Sequence, residues 1–177
     1  SLECLNQSGL TVVGSRQPTA YGCRITEILV KELVDKKLVI VSGLARGIDS
    51  LAHRTCLQNQ GKTVAVLGHG FDQIYPPENR LLADEIVSRG GALISEYPWG
   101  FPIDKINFPQ RDRIMAGLTL GTLVIEGRER SGTKITAFMA ADYGREVFCV
   151  PGQIGTPQAE APAQLIQHGA KLVTKVD

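Results

Sequence analysis

A doubly wound α/β domain, with a mostly parallel sheet covered by helices on both faces, is the fold class that the sequence predicts. Three observations lead there. Short apolar runs rich in β-branched residues recur along the chain, the gaps between them are about 20 residues or more, and several gaps carry helical periodicity. Gaps of that length exceed a hairpin and suit a crossover helix. Nearly continuous apolar strands alternating with amphipathic helices belong to a parallel sheet buried on both faces.

The runs are TVV at 11, LVIV at 38, TVAVL at 63, ALI at 92, TLVI at 122 and EVFCV at 146. After the first, Ile25, Ile28, Leu29 and Leu33 fit one face of a helix, and after the fifth Ile135, Phe138, Met139 and Tyr143 fit another. FDQIYPPENR (71–80) and EYPWGFPIDKINFP (96–109) read as ordered Pro-rich loops at one sheet edge, with Phe108 and Pro109 as the anchor and start of the next helix. APAQLIQHGAKLV reads as a short helix and a final strand. No internal boundary, repeat or low-complexity segment interrupts this order, so residues 1–177 are expected to form one domain.

A chain of 177 residues with 43% hydrophobic and 21% charged content has the composition of an ordinary globular protein. Its 19 Lys+Arg against 18 Asp+Glu give no global basic field, so polyanion binding would need local charge segregation. Four scattered cysteines, Cys4, Cys23, Cys56 and Cys149, fit neither a disulfide framework nor a zinc site and suggest reduced thiols in a cytoplasmic protein. No run of 18 apolar residues occurs, so no membrane span is expected.

Ligands of open parallel sheets gather outside the carboxyl ends of the strands. Reading past each run places GSRQPTAYG, SGLARGID, GHGFD, SEYPWG and EGRERSGTK at that edge. Seven of the 19 basic residues fall there, namely Arg16, Arg46, Arg111, Arg113, Arg128, Arg130 and Lys134, which is the segregation a neutral protein needs. Asp49, Asp72, Glu96, Asp112, Glu126 and Glu129 share the edge, so some arginines are open to internal pairing.

Individual motifs have two readings. Gly14, Ser15 and Arg16 form either a tight strand-to-helix turn or a phosphate contact. Ser131, Gly132, Thr133 and Lys134 open a helix whose first-turn amides suit an anion. His53 stands four residues after Asp49 and is expected to pair with it as a structural histidine. GHG at 68–70 is expected to be a turn, and His69 and His168 lack companions for a metal. Neither a complete GxGxxG nor a P-loop GK[ST] is present.

GSR, SGLARGIDSLAH, VLGHGFDQIYPPENR, ISEYPWG, FPQRDRIMAGL, VIEGRERSGTKITA and GREVFCVPGQIG occur in one order from about Val12 to Val173. In this the chain resembles the DNA-processing protein A (DprA/Smf) family. The resemblance implies an extended Rossmann-like core that binds single-stranded DNA, protects it during natural transformation and loads the RecA recombinase. It also implies a homodimer with no catalytic residues, metal or cofactor. Carried over, Arg16 faces the DNA; Gly14, Ser15, Gly43, Arg46, Arg111 and Arg113 line the same pocket, and Ser131 to Lys134 add amides and an amine. Asp112 replaces the Asn more usual between the two arginines, EAPAQLI lacks a Gly common there, and the small flanking domains of family members are not expected within these residues.

The rival expectation is an enzyme related to the lysine-decarboxylase-like phosphoribohydrolases, or a small-nucleotide sensor. The hydrolases carry Pro-Gly-Gly-x-Gly-Thr followed by a Glu. Here Gly132-Thr133 lacks the preceding Pro-Gly-Gly, and Thr136 stands where the Glu would be. Glu96 and Glu126 are expected either to pair with arginines or to substitute. Bases would rest on arginine planes or on Tyr75, Tyr97, Trp99 or Phe101.

Overall fold

The computed structural model describes residues 2–176. The strands are β1 (Gly9–Val13), β2 (Val39–Ser42), β3 (Thr63–Val66), β4 (Ala92–Ile94), β5 (Gly121–Val124), β6 (Glu146–Cys149) and β7 (Lys171–Leu172). Between them run α1 (Ala20–Asp35), α2 (Ile48–Gln58), α3 (Arg80–Ser88), α4 (Asn107–Leu118), α5 (Gly132–Asp142) and α6 (Glu160–Gln167). All seven strands form one sheet in the order β4-β3-β2-β1-β5-β6-β7, and every pairing is parallel. The sheet is thus doubly wound, as the spacing of the apolar runs predicts. Winding reverses after β4, when α4 carries the chain back to place β5 beside β1.

The two-residue period of the strands divides the core between the faces. Val39, Val41, Val64, Val66 and Val124 pack with Met115 of α4, Ala137 of α5 and Leu165 of α6. Val12, Ile40, Leu123 and Ile125 pack instead with Leu29 and Leu33 of α1 and Ile48, Ala52 and Cys56 of α2. A third cluster joins Leu44, Leu57 and Ala65 to Leu82 and Ile86 of α3. Cys4, Cys56 and Cys149 are buried and Cys23 is half-buried; burial pushes the Cys56 and Cys149 thiols up to about 12.

Two helix faces differ from the periodicity. In α1, Ile28 is exposed while Thr26 and Val30 join Leu29 and Leu33 inside. In α5 the expected face is outward: Ile135, Phe138 and Tyr143 are exposed, and Thr133, Thr136, Ala137 and Ala140 are buried. The cause is the helix pair. Small side chains let α5 approach α4 closely, a contact that the sequence of α5 alone cannot signal.

This reversal is open to test by denaturant unfolding. Ala140→Leu is expected to cost about 1–3 kcal/mol by overpacking the α4–α5 contact. Phe138→Ala, despite removing an aromatic ring, should cost less than about 1 kcal/mol because half the ring faces water.

Candidate nucleic-acid interface

The β1–α1 turn is built for rigidity. Thr19 caps α1 by accepting from the Gly22 amide at 3.1 Å, and its own amide donates to Glu126 Oε2 at 2.9 Å. Ser15 Oγ accepts from the Gln17 amide at 3.1 Å, closing the turn that presents Arg16. The Ser15 carbonyl accepts from the Ile48 amide at 3.1 Å, so the β1 turn leans on the first residue of α2. Gly47, at φ 76°, makes this approach possible, because a Cβ there would collide with the Ser15 carbonyl and the Arg16 backbone.

The turn after β2 is held more tightly still. Leu44 sits at φ 56°, an uncommon conformation for a residue with a Cβ, and its side chain is fully buried. Partners on three sides hold it there. The Gly43 amide donates to Asp49 Oδ2 at 3.1 Å, the Gly43 carbonyl accepts from Arg111 Nη1 at 2.8 Å, and the Leu44 carbonyl accepts from Asn79 Nδ2 at 2.9 Å. Such over-determination is what lets a strained turn persist.

Between these turns lies a shallow crevice lined by Arg16, Gly43, Ala45, Arg46, Tyr75, Pro76 and Phe108. Its enclosed space is only about 20 Å³, room for about one water, so a ligand would lie across it rather than inside it. Arg16 is exposed and forms no hydrogen bond or ion pair among the described residues. Arg46 is exposed too but grips Glu78 with two guanidinium nitrogens, which raises the arginine's pKa and lowers that of the carboxylate. In the same wall Tyr75 and Phe108 rings lie 5.6 Å apart, and Phe108 also fills the space beside Gly68. Sequence spacing did not reveal Glu78, 32 residues from Arg46, as a partner.

Arg111 is placed beneath the crevice, not in its wall. It is 4% exposed, and its guanidinium donates to the carbonyls of Gly43 and Val66 and, at 3.1 Å, to Asp112 Oδ1. Arg113 points outward and pairs with Glu96. The Ser131–Lys134 turn does start a helix, yet it lies beyond β5; Lys134 Nζ donates to Gln164 of α6 at 2.7 Å, and Thr133 is buried. Of the expected binding residues, the structure brings Arg16, Gly43 and Arg46 together, with Gly14 and Ser15 in the supporting turn.

Two other expectations need correction, the His53–Asp49 pair and an arginine partner for Glu126. His53 pairs with Thr63, Nδ1 to Oγ1 at 2.7 Å, and not with Asp49, whose carboxylate is drawn to the Gly43 amide. Burial and the Arg111 charge lower the His53 pKa to about 3. Glu126 binds Thr19 and, among the described residues, no arginine, whereas Glu96 does take one. His69 is 1% exposed and serves its own loop, Nδ1 facing the Gly70 carbonyl and Nε2 accepting from the Tyr75 amide. Among the described residues no cluster of three His, Cys, Asp or Glu is arranged for a metal, and no helix is long and apolar enough to cross a membrane.

The family model for DNA recombination-mediator protein A matches residues 1–177. This chain belongs to that family. It is 46% identical over 174 residues to Protein Smf of Escherichia coli, covering 98% of this chain and 46% of that protein. It is 46% identical over 162 residues to DNA processing protein DprA of Bacillus subtilis, covering 92% and 54%. The chain therefore spans about half the length of the curated relatives it matches. The X-ray structure of DprA from Streptococcus pneumoniae superposes with a TM-score of 0.92 at 43% identity, covering 99% of this chain and 61% of that one. DNA processing protein A from Helicobacter pylori, described for its single-stranded DNA binding mode, superposes at 0.90 with 27% identity, covering 99% and 80%. The molybdenum cofactor carrier protein of Chlamydomonas reinhardtii shares the fold alone, at 0.62 and 15% identity over 96% and 90% of the two chains.

One guanidinium between two carboxylates makes this DprA-family site sensitive to pH. Burial raises the Asp49 carboxyl, and it raises Asp112 to about 6 against the pull of Arg111. The folded state therefore holds the Asp112 proton more tightly than the unfolded chain. That contribution is fully present below pH 3.8 and is lost as pH rises through about 6. Asp112→Asn keeps an acceptor for Arg111 Nε and should make the stability profile less steep between those limits, removing a contribution of about 3 kcal/mol in urea unfolding and leaving that of Asp49. Arg111→Ala leaves the Asp112 carboxylate and the Gly43 and Val66 carbonyls without their donor and removes the through-space pull of the guanidinium on Asp49. It should cost about 3–5 kcal/mol in the same measurement at neutral pH.

Proposed function

We propose that this domain holds single-stranded DNA without cutting it, by its phosphates, across the crevice between the β1 and β2 turns. The observation that carries the reading is Arg16, exposed, free of any ion pair among the described residues, and presented by a turn braced on α2 and Glu126. A guanidinium that forms no ion pair among the described residues, and acts on Asp49 only through space, is available to take a phosphate as a fork, which positions a strand without reading its bases. Tyr75, which lines the crevice, offers a ring on which a base can stack. Arg46 joins by exchanging Glu78 for phosphate, because an exposed pair of this kind is weakly held. Arg111 supports the pocket from below, Arg113 gives a second cation at the rim when released from Glu96, and the Ser131–Lys134 turn extends the path across β5.

The family and the strand-binding relative from Helicobacter pylori support this reading. Against a phosphoribohydrolase speaks Thr136, which is 1% exposed and bonded toward Asp112 in the core, where no carboxylate or hydroxyl meets a ribose. Protection of incoming strands, delivery to a RecA recombinase and pairing of two copies in the cytoplasm complete the proposal, and they rest on family membership alone.

Fluorescence anisotropy with labelled single-stranded and duplex oligonucleotides at several salt concentrations tests it. Single strands should be preferred, with log affinity falling by about 0.7 per phosphate held for each log unit of salt. Arg16→Ala should weaken all sequences alike and reduce that slope by about 0.7. Wild-type affinity and slope in this variant would move the phosphate site elsewhere.

A further inference from the structure

Glu126 is a buried carboxylate without a counter-ion. It is 5% exposed, a depth at which Glu is almost never found unless paired, yet it forms no ion pair among the described residues. Hydrogen bonds hold it instead: the Thr19 amide donates to Oε2 at 2.9 Å and the Thr19 hydroxyl to Oε1. The first turn of α1 packs on it as well, since a Cβ on Gly22 would collide with the carboxyl group. A helix N-terminus offers about half an elementary charge, which leaves part of the carboxylate's charge unbalanced. That surplus is felt nearby: the Cys23 thiol is raised by burial and further by Glu126 and Glu27.

The carboxylate lines a cavity. A hollow of about 430 Å³ opens at the ends of β1, β5 and β6, walled by Thr19, Tyr21, Glu126, Pro151, Gln153 and Thr156 among others, and no Lys, Arg or His lines it. The volume lies within the range of small-ligand sites. A carboxylate has about four lone-pair sites, so each Glu126 oxygen keeps one beyond its bond to Thr19. An anion would meet that charge with no cation to hold it. A bare metal ion needs several oxygen ligands, and among the described residues no three of His, Cys, Asp and Glu are grouped to give them. A neutral ligand would leave the buried charge unbalanced. What fits is a cation with a carbon body, its N–H groups on Glu126 and its methylenes along Ile125, Pro151 and Ala159. Tyr21 adds a ring, pinned by its hydroxyl donating to the Pro151 carbonyl at 2.9 Å, and cations are attracted to such rings.

We propose that this cavity binds an organic cation, an alkylammonium or alkylguanidinium group, with Glu126 as its counter-charge. Such a group arrives either as a free amine or as the Lys or Arg side chain of a partner protein. The site needs no nucleic acid and stands whether or not Arg16 holds a strand.

The test is a nuclear magnetic resonance titration of backbone amides at constant pH and ionic strength. Its probes are butylamine, diaminobutane, the N-acetyl N-methylamide of lysine and, as the uncharged control, butanol. In wild type, butylamine should shift the Thr19 and Gly22 amides with about tenfold higher affinity than butanol. Glu126→Gln should abolish that preference. Thr156→Phe, whose ring fills the cavity, should weaken every probe about tenfold, and it serves if the first variant does not fold. Binding of the lysine derivative as strongly as butylamine assigns the site to a partner's side chain. Binding of the two free amines alone assigns it to a free amine. The wild-type series needs no variant to fold. If butanol binds as well as butylamine, or if the amines leave the Thr19 and Gly22 amides unmoved, the cation site is overturned.

Discussion

Arg111 stands in the second turn of α4 with its guanidinium under the ends of β2 and β3, donating to the carbonyls of Gly43 and Val66 and to Asp112. These carbonyls have no strand neighbour left to satisfy them where the sheet ends, and an unpaired buried carbonyl is costly. One side chain from the returning helix therefore closes the edge that the first three crossovers leave open. Around it the turn after β2 adopts its left-handed Leu44, Asp49 takes the Gly43 amide, and Asn79 reaches in from the segment before α3. Gly43 has to lack a side chain, because a Cβ there would lie 2.6 Å from the guanidinium. The surface that carries Arg16 is thus seated, through Ser15, Gly47 and Ile48, on a buried charge network.

That arrangement also explains why so many charged residues can occupy one edge of a protein with no net bias. In and around the crevice Arg46 pairs with Glu78, Arg113 with Glu96 and the buried Arg111 with Asp112, whereas Arg16 forms no ion pair among the described residues and acts on Asp49 only through space. The exposed pairs are weak and exchangeable, whereas the buried one is not. A surface composed this way leaves Arg16 as its uncompensated cation, with the charges of Arg46 and Arg113 offset by neighbouring carboxylates.

Much of this was legible in the linear pattern. The apolar runs, their spacing and the small polar turns after them place all seven strands and locate the edge where a ligand would gather, because burial on both faces and crossover length are local, one-dimensional constraints. The α5 face was misread because Ile135, Phe138 and Tyr143 have helical spacing while the side that packs on α4 is made of Thr and Ala. Periodicity reports where large apolar groups are, and close helix packing selects for small ones. Likewise Asp49 and His53 share a helical spacing, yet each finds a better partner outside α2: the Gly43 amide for one, Thr63 for the other.

The sequence by itself determined the class of fold, the order of its units and the family, since these follow from composition, period and motifs read in one direction along the chain. Only the tertiary structure decided what each charged group does. Arg111 and Arg113 are two residues apart, and the 3.6-residue turn sends one into the sheet edge and the other into solvent. Glu126 and Thr19 lie 107 residues apart and meet because β5 returns to the side of β1. Charge pairing depends on distances in space, and across a doubly wound sheet those distances are set by the winding reversal, which no local stretch of sequence contains.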